Sequence, residues 1–360
     1  MSLIDTSDHR PSHRRLLSNP HGAEPQAAID AIIVPTIRPT SYLSHAASLA
    51  KRLGCPLVAL CSGPWTSAQA ARTVADSEII GLDIAGSGPL NLPTLQTSRV
   101  LRPRFRRDND TAAKRNLGLT LAHLLGWQRI AFLDDDIKVG DPDHLGQAAG
   151  LLGRYSAVGL SIGGFPDNSV VCHAFRAVGG PQDAFVGGGA LVVEVARTTS
   201  FFPDLYNDDW FYLLEDDGLR EVAVMGEATQ SPYDPYDSPE RARSEEFGDV
   251  LAEGLFWLVE EGKKLNEATE RHWSEFLVRR GRLIDLIVAR LDEVDAARER
   301  RMRASLLAAR GQLAHITPQL CAAYVEAWRV DRETWRRHLS DLPTGLPLEA
   351  ALSQLAPLPR

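Results

Sequence analysis

Two acidic clusters carry the chemistry this sequence can do. The first is Asp134, Asp135 and Asp136, within "RIAFLDDDIKV" (129–139). Three like charges follow directly on an apolar run, where burial and mutual repulsion both oppose ionisation. A hard divalent cation relieves both, because carboxylates suit Mg2+ and Mn2+ and those ions also take phosphate oxygens. A solvated turn would relieve them as well, so the triplet alone leaves two readings. The second cluster is Asp208 and Asp209 in "YNDDWFYLL" (206–214). Asn207 is placed to cap a helix, and acids in its first turn meet the positive end of the helix dipole. A carboxylate in that position either caps the helix or takes a proton from a reacting hydroxyl.

Other residues have types suited to a neighbouring ligand. Gly187, Gly188 and Gly189 in "VGGGALVVEV" (186–195) let a backbone approach closely, or form a bulged strand or tight turn. "RVLRPRFRRDND" (99–110) concentrates five arginines, Arg104 and Arg107 among them. Arginine forks match phosphate, so this is a phosphate or acceptor clamp, or else a solvated loop. His173 is a core histidine or an acceptor contact. Trp210 is a core residue or an apolar wall for a ligand.

The elements that must position these residues alternate. "AIIVP" (31–35) and "PLVALCSG" (56–63) are buried strands flanking a helix over 40–53, with Thr40 or Ser41 as its N-cap. A third strand falls in 77–84, a helix over 110–127, and the strand "RIAFLDDD" after it. This alternation predicts an α/β fold with a mostly parallel sheet flanked by helices. The Asp triplet then lies at the carboxyl end of a strand, where ligand crevices form. Strands at 184–195 and 220–230 follow. A Pro/Asp/Ser-rich loop leads into helical patterning from about 240. Three regions are expected: a flexible N-terminal arm (1–28), an α/β domain that carries both acidic clusters (29–235) and a C-terminal helical region (236–360). "RERRMR" (298–303) in that region reads as helix packing or dimerisation before it reads as a membrane face.

Composition sets outer limits. The 360-residue chain is 44% hydrophobic and has a formal net charge of -8, which argues against nucleic-acid binding. Its four cysteines lack zinc-ligand spacing, and no apolar run is long enough to span a bilayer, so a cytoplasmic protein with buried thiols is expected.

The order "AIIVPTIRP", "KRNLGL", "IAFLDDD", a glycine-rich strand and "NDDW" resembles the GT-A glycosyltransferases, family 2 above all, over about residues 30–230. The resemblance implies a GT-A (Rossmann-like) fold and a metal-dependent transferase. Its donor is a UDP- or GDP-linked sugar, and its acceptor a hydroxyl on a small or lipid-linked molecule. It implies that Pro35, Thr36, Arg38, Arg115, Asn116, Asp134, Asp135 and the three glycines contact the nucleotide sugar. Asp136 and Asp134 would hold Mg2+ or Mn2+, and Asp209, with Asp208 second, would be the base of an inverting reaction. Two departures stand out. The second strand ends in "LCSG" with no acid, and "GEATQSPYD" (226–234) has no histidine for a third metal ligand, leaving Gln230 or water. Alternatives are a retaining transferase of the glycosyl-phosphoglycerate synthase type and a non-catalytic nucleotide-sugar-binding protein. A nucleotidyltransferase is disfavoured by the glycine-free loop "PTIRPTS", and an aspartate-dependent phosphatase by "DDDIK".

Overall fold

Apolar runs too short for helices form a sheet whose central strands are buried on both faces. In the computed structural model, which describes residues 7–20, 26–74, 78–84, 91–166 and 168–355, the strands are β1 (Ala31–Thr36), β2 (Leu57–Cys61), β3 (Ile79–Asp83), β4 (Arg129–Leu133), β5 (Ile137–Lys138), β6 (Ala157–Gly164), β7 (Ala190–Glu194), the short hairpin β8 (Leu214–Glu215) and β9 (Gly218–Leu219), and β10 (Val222–Gln230). Eight of them form one sheet in the order β3-β2-β1-β4-β7-β6-β10-β5. β1, β2, β3 and β4 pair in parallel, as do β6 and β10. β7 runs antiparallel to both β4 and β6, and β5 antiparallel to β10. The amino end of β7 therefore lies at the same sheet edge as the carboxyl ends of β1, β2 and β4.

The helices are α1 (Ser44–Leu53), α2 (Ala68–Ala71), α3 (Thr97–Val100), α4 (Thr111–Leu125), α5 (Asp143–Leu151), α6 (Val170–Ala177), α7 (Asp208–Leu213), α8 (Pro239–Glu260), α9 (Glu270–Ala289), α10 (Ala296–Leu313), α11 (Pro318–Asp341) and α12 (Leu348–Leu355). α1 and α5 cover one face of the sheet; α4, α6 and the C-terminal helices share a core on the other. α4 lies close against β1 at Gly118, where a Cβ would fall 2.9 Å from Ile33 Cγ2. The C-terminal helices continue the core of the sheet, with Phe211 and Trp328 in edge contact at 5.4 Å. α10, which carries the "RERRMR" stretch, buries Met302 and Leu306 and packs on α8. No side chain caps α1; a 3-10 turn over Thr40–Leu43 leads into it, where a Thr or Ser cap is expected from the sequence.

Of the stretch expected as a mobile arm, residues 7–20 are laid against the body of the protein. His13 is buried between Glu253 and Glu260 of α8, with Nε2 and Nδ1 at 3.1 and 3.0 Å from their carboxylates. Ser18 exchanges two 2.9 Å backbone hydrogen bonds with Val222 and Val224, covering an edge of β10. The partners lie more than 160 residues away in sequence, so local composition does not reveal them. All four cysteines are buried free thiols, and among the described residues no helix is long and apolar enough to cross a membrane.

Candidate active site

A cleft of ≈ 990 Å³ opens at the carboxyl ends of β1, β2 and β4. Its walls include Pro35, Thr36 and Arg38 after β1, Ser62 to Trp65 after β2, and Asp134 to Asp136 after β4. Arg107 to Thr111, Lys114 and Arg115 come from α4 and the loop before it, and Tyr206 to Asp209 from the start of α7. Gln230 at the end of β10 and Arg241, Ser244 and Glu245 on α8 complete it. The sheet topology thus brings both acidic clusters to one place.

Two arginines divide the acids between them. Arg115, on the buried face of α4, donates through Nη1 to both Asp208 oxygens at 3.1 Å. Its Nη2 donates to Asp134 at 3.1 and 3.2 Å. Burial alone would lower the Arg115 pKa, but Asp208, Asp134 and Asp209 more than offset it and raise it. Arg38 pairs with Asp135, and its Nη2 donates to Asp136 at 3.1 Å. Thr36 Oγ1 donates to Asp135 at 2.6 Å and accepts from the Arg38 backbone N–H. Burial still pushes the Asp135 and Asp136 pKa values up, with repulsion from Asp134 adding to it. Burial likewise pushes Asp208 up to about 6, against the pull of Arg115.

The glycine run is packed against these charges. Asp209 accepts from the Gly188 N–H at 2.6 Å and, through its other oxygen, from the Trp210 N–H at 2.9 Å. A Cβ on Gly188 would sit 2.7 Å from the Arg115 guanidinium carbon, and one on Gly189 2.8 Å from Asp134 Oδ2. A Cβ on Gly187 would lie 3.4 Å from Asp209. The run is a turn into β7, with the Ala190 N–H on the Gly187 carbonyl at 3.4 Å, and its close approach is directed at the protein's own ion pairs.

Several expected site residues stand elsewhere. Asn116 uses its amide on the backbone of Phe202, donating at 2.7 Å and accepting at 2.8 Å, and does not line the cleft. His173 is a core histidine: it bonds the Tyr233 hydroxyl at 2.9 Å and stacks on Phe165. Burial, then Arg176 and other arginines, lowers its pKa to about 3. Trp210 packs among His13, Phe185 and Phe256. Arg104 lies outside the lining, and Arg107 is part of it.

Other cleft residues went unnoticed in the sequence. Lys114 is buried and holds three acceptors: Ser62 Oγ at 2.6 Å, the Thr36 carbonyl at 3.0 Å and Asp110 at 2.7 Å. The four-residue spacing of Asp110 and Lys114 was its one visible signal. Trp65, 71% exposed, and Arg241 carried none.

The donor set suits a hard cation. Five carboxylates face two paired arginines, Asp134 and Asp136 offer oxygen, and Gln230 Oε1 is buried without a hydrogen-bond partner among the described residues. Gln230 is held beside the triplet, since Ser231 N–H donates to the Asp136 carbonyl at 3.0 Å. Among the described residues, the one group of three acidic, histidine or cysteine side chains whose ligand atoms lie within 4.8 Å of one another is elsewhere: Cys172 with Asp249 and Glu253. There Arg280 and His13 already pair with the two acids, and burial pushes the thiol well above its ordinary pKa.

No protein-family model matches the chain, and no curated protein does. Among solved structures, the mannosyltransferase PcManGT from Pyrobaculum calidifontis, in complex with GDP-Man and Mn2+, is similar at 16% identity, over 89% of this chain and 92% of that one, with a TM-score of 0.46. A TM-score below one half gives this likeness no weight in assigning a function.

Proposed function

We propose that this protein is a glycosyltransferase that moves a sugar from a nucleotide-diphosphate sugar to a hydroxyl acceptor. The observation that carries the reading is the meeting of two separate acidic clusters in one cleft at the carboxyl ends of parallel strands. A non-catalytic nucleotide-sugar binder would have use for the first cluster alone.

Asp134, Asp136 and Gln230 Oε1 would hold Mg2+ or Mn2+, an all-oxygen set that such ions favour. When bound, the ion neutralises charge on the leaving diphosphate. Pro35, Thr36 and Ser62 to Trp65 form the wall for the nucleoside, and Trp65 offers an exposed aromatic face there. Lys114 ties the ends of β1 and β2 to α4 and so fixes the spacing of that wall. Asp209 is preferred over Asp208 as the base. It is half-buried and lines the cleft, whereas Asp208 is buried and held by both oxygens on Arg115. Each Asp209 oxygen accepts one backbone N–H and keeps a further lone pair for an acceptor proton.

Calorimetric titration with UDP, GDP and ADP, each with Mn2+ and with EDTA, tests the reading. One nucleotide should bind tightly only with metal, and Asp136→Asn should abolish that binding. Absence of binding by any of the three to folded protein with metal present would refute it. Asp209→Asn should retain nucleotide binding and lose sugar transfer; full transfer in that variant would remove the base assignment and favour a retaining reaction.

A further inference from the structure

The two arginines that neutralise the triplet differ in how firmly they are held. Arg115 is buried, bonded at both ends, and closed over by Gly188. Arg38 reaches its acids from the solvent side. Its side chain is 42% exposed, while those of Asp135 and Asp136 are 6% and 16% exposed. Its other neighbour is the half-exposed ring of Tyr42, at 5.4 Å from the guanidinium carbon. The acids are therefore the better-buried members of the pair, and the cation, open to solvent over 42% of its side chain, is the member placed to leave.

We propose that Arg38 is a built-in counter-cation that a divalent ion must displace from Asp136. The inference rests on the metal-dependent reading of the cleft. In the free protein Arg38 occupies an Asp136 oxygen that the ion needs, and so weakens metal binding. When metal and a nucleoside diphosphate enter together, the freed guanidinium has a new anion to bind, since its fork suits phosphate as well as carboxylate. Metal and nucleotide thus favour one another through Arg38 as well as through direct contact, and the coupling is reciprocal.

The test is Mn2+ alone, titrated into full-length protein and followed by the electron paramagnetic resonance signal of the free ion. Arg38→Ala should bind Mn2+ about tenfold more tightly than the unaltered chain, the worth of one charge-assisted hydrogen bond. Arg107→Ala, which removes the same charge from the cleft without touching the triplet, should change Mn2+ affinity by less than about threefold at physiological salt. Asp136→Asn should remove the gain in the Arg38→Ala background. With GDP or UDP present, Arg38→Ala should instead weaken nucleotide binding. Unchanged or weaker Mn2+ binding by folded Arg38→Ala overturns the proposal, and so does an equal gain from Arg107→Ala. If no nucleotide binds any of the proteins, the transferase reading fails, while the metal-alone comparison still decides the role of Arg38.

Discussion

Replacing Arg115 by Met tests the charge architecture of the cleft most directly. The side chain is nearly isosteric along its stem, so the change removes the guanidinium and keeps most of the packing. Asp134 can regain water, because its side chain is 31% exposed. Asp208 cannot, being 6% exposed. Even with Arg115 present, burial holds Asp208 at a pKa of about 6 against an ordinary 3.8. Without the arginine the pKa must rise further, and leaving one buried charge unpaired costs about 3–5 kcal/mol. The sign follows from proton binding: the folded state then binds a proton that the unfolded chain has lost, so stability falls as pH rises. The unaltered protein feels this only up to about pH 6, the pKa of its Asp208. Arg115→Met feels it further, so the gap between the two should widen by up to about 1.4 kcal/mol per pH unit above that point. Urea unfolding at pH 5.5 and pH 8 measures the gap. Adding Asp208→Asn to Arg115→Met should recover stability at pH 8 more than at pH 5.5. A deficit below about 1 kcal/mol, or one equal at the two pH values, would refute the reasoning.

Two further outcomes concern residues away from the reacting atoms. His13, pushed to about pKa 9 by Glu253 and Glu260 against the opposing effect of burial, contributes stability that is full below its unfolded value of 6.5 and lost as pH rises through 9. That contribution is up to about 3 kcal/mol, and unfolding curves of His13→Gln should be flatter than those of the unaltered chain between pH 6.5 and 9.5. Asn116→Ala leaves the buried N–H and carbonyl of Phe202 without their side-chain partner and should cost about 2–4 kcal/mol in urea unfolding. Nucleotide affinity should be unaltered in the same variant, and a loss of affinity in a still-folded protein would return Asn116 to the donor site.

The sheet was legible because its central strands are short runs of almost wholly apolar residues, as in Ala31–Thr36 and Leu57–Cys61, and the helices between them carry the expected period. The acidic clusters could be read as a site because strand ends are where side chains leave the core. What the sequence hid was pairing across long separations. Nothing near Arg38 shows that it meets Asp135, 97 residues on, and nothing near Arg115 shows that it meets Asp208. The triplet therefore suggested an external cation as its principal relief, where two arginines already supply a large part of it. Asn116 and the acceptor reading of His173, though not its core reading, went astray for a related reason. A polar residue on a helix is as readily committed to a distant backbone carbonyl or hydroxyl as to a ligand, and spacing does not separate the two.

The docking of residues 7–20 on α8 and β10 also sets a schedule. His13 finds its carboxylates on Glu253 and Glu260, 240 and 247 residues later in the chain. At ribosomal speeds of roughly 5–20 residues per second, that interval is on the order of tens of seconds. Through it the imidazole lacks both carboxylates, for most of it β10 has not yet been made, and the strap that will cover its edge cannot be held in place by α8. The cleft is subject to the same order, since its lining runs from Pro35 to Glu245. A nascent chain halted before α8 would lack Arg241, Ser244 and Glu245 as well as the acids that hold the strap. The nucleotide binding proposed for the cleft, followed during synthesis, would thus report the arrival of α8 and the closing of the strap, with α9 to α12 still to be added.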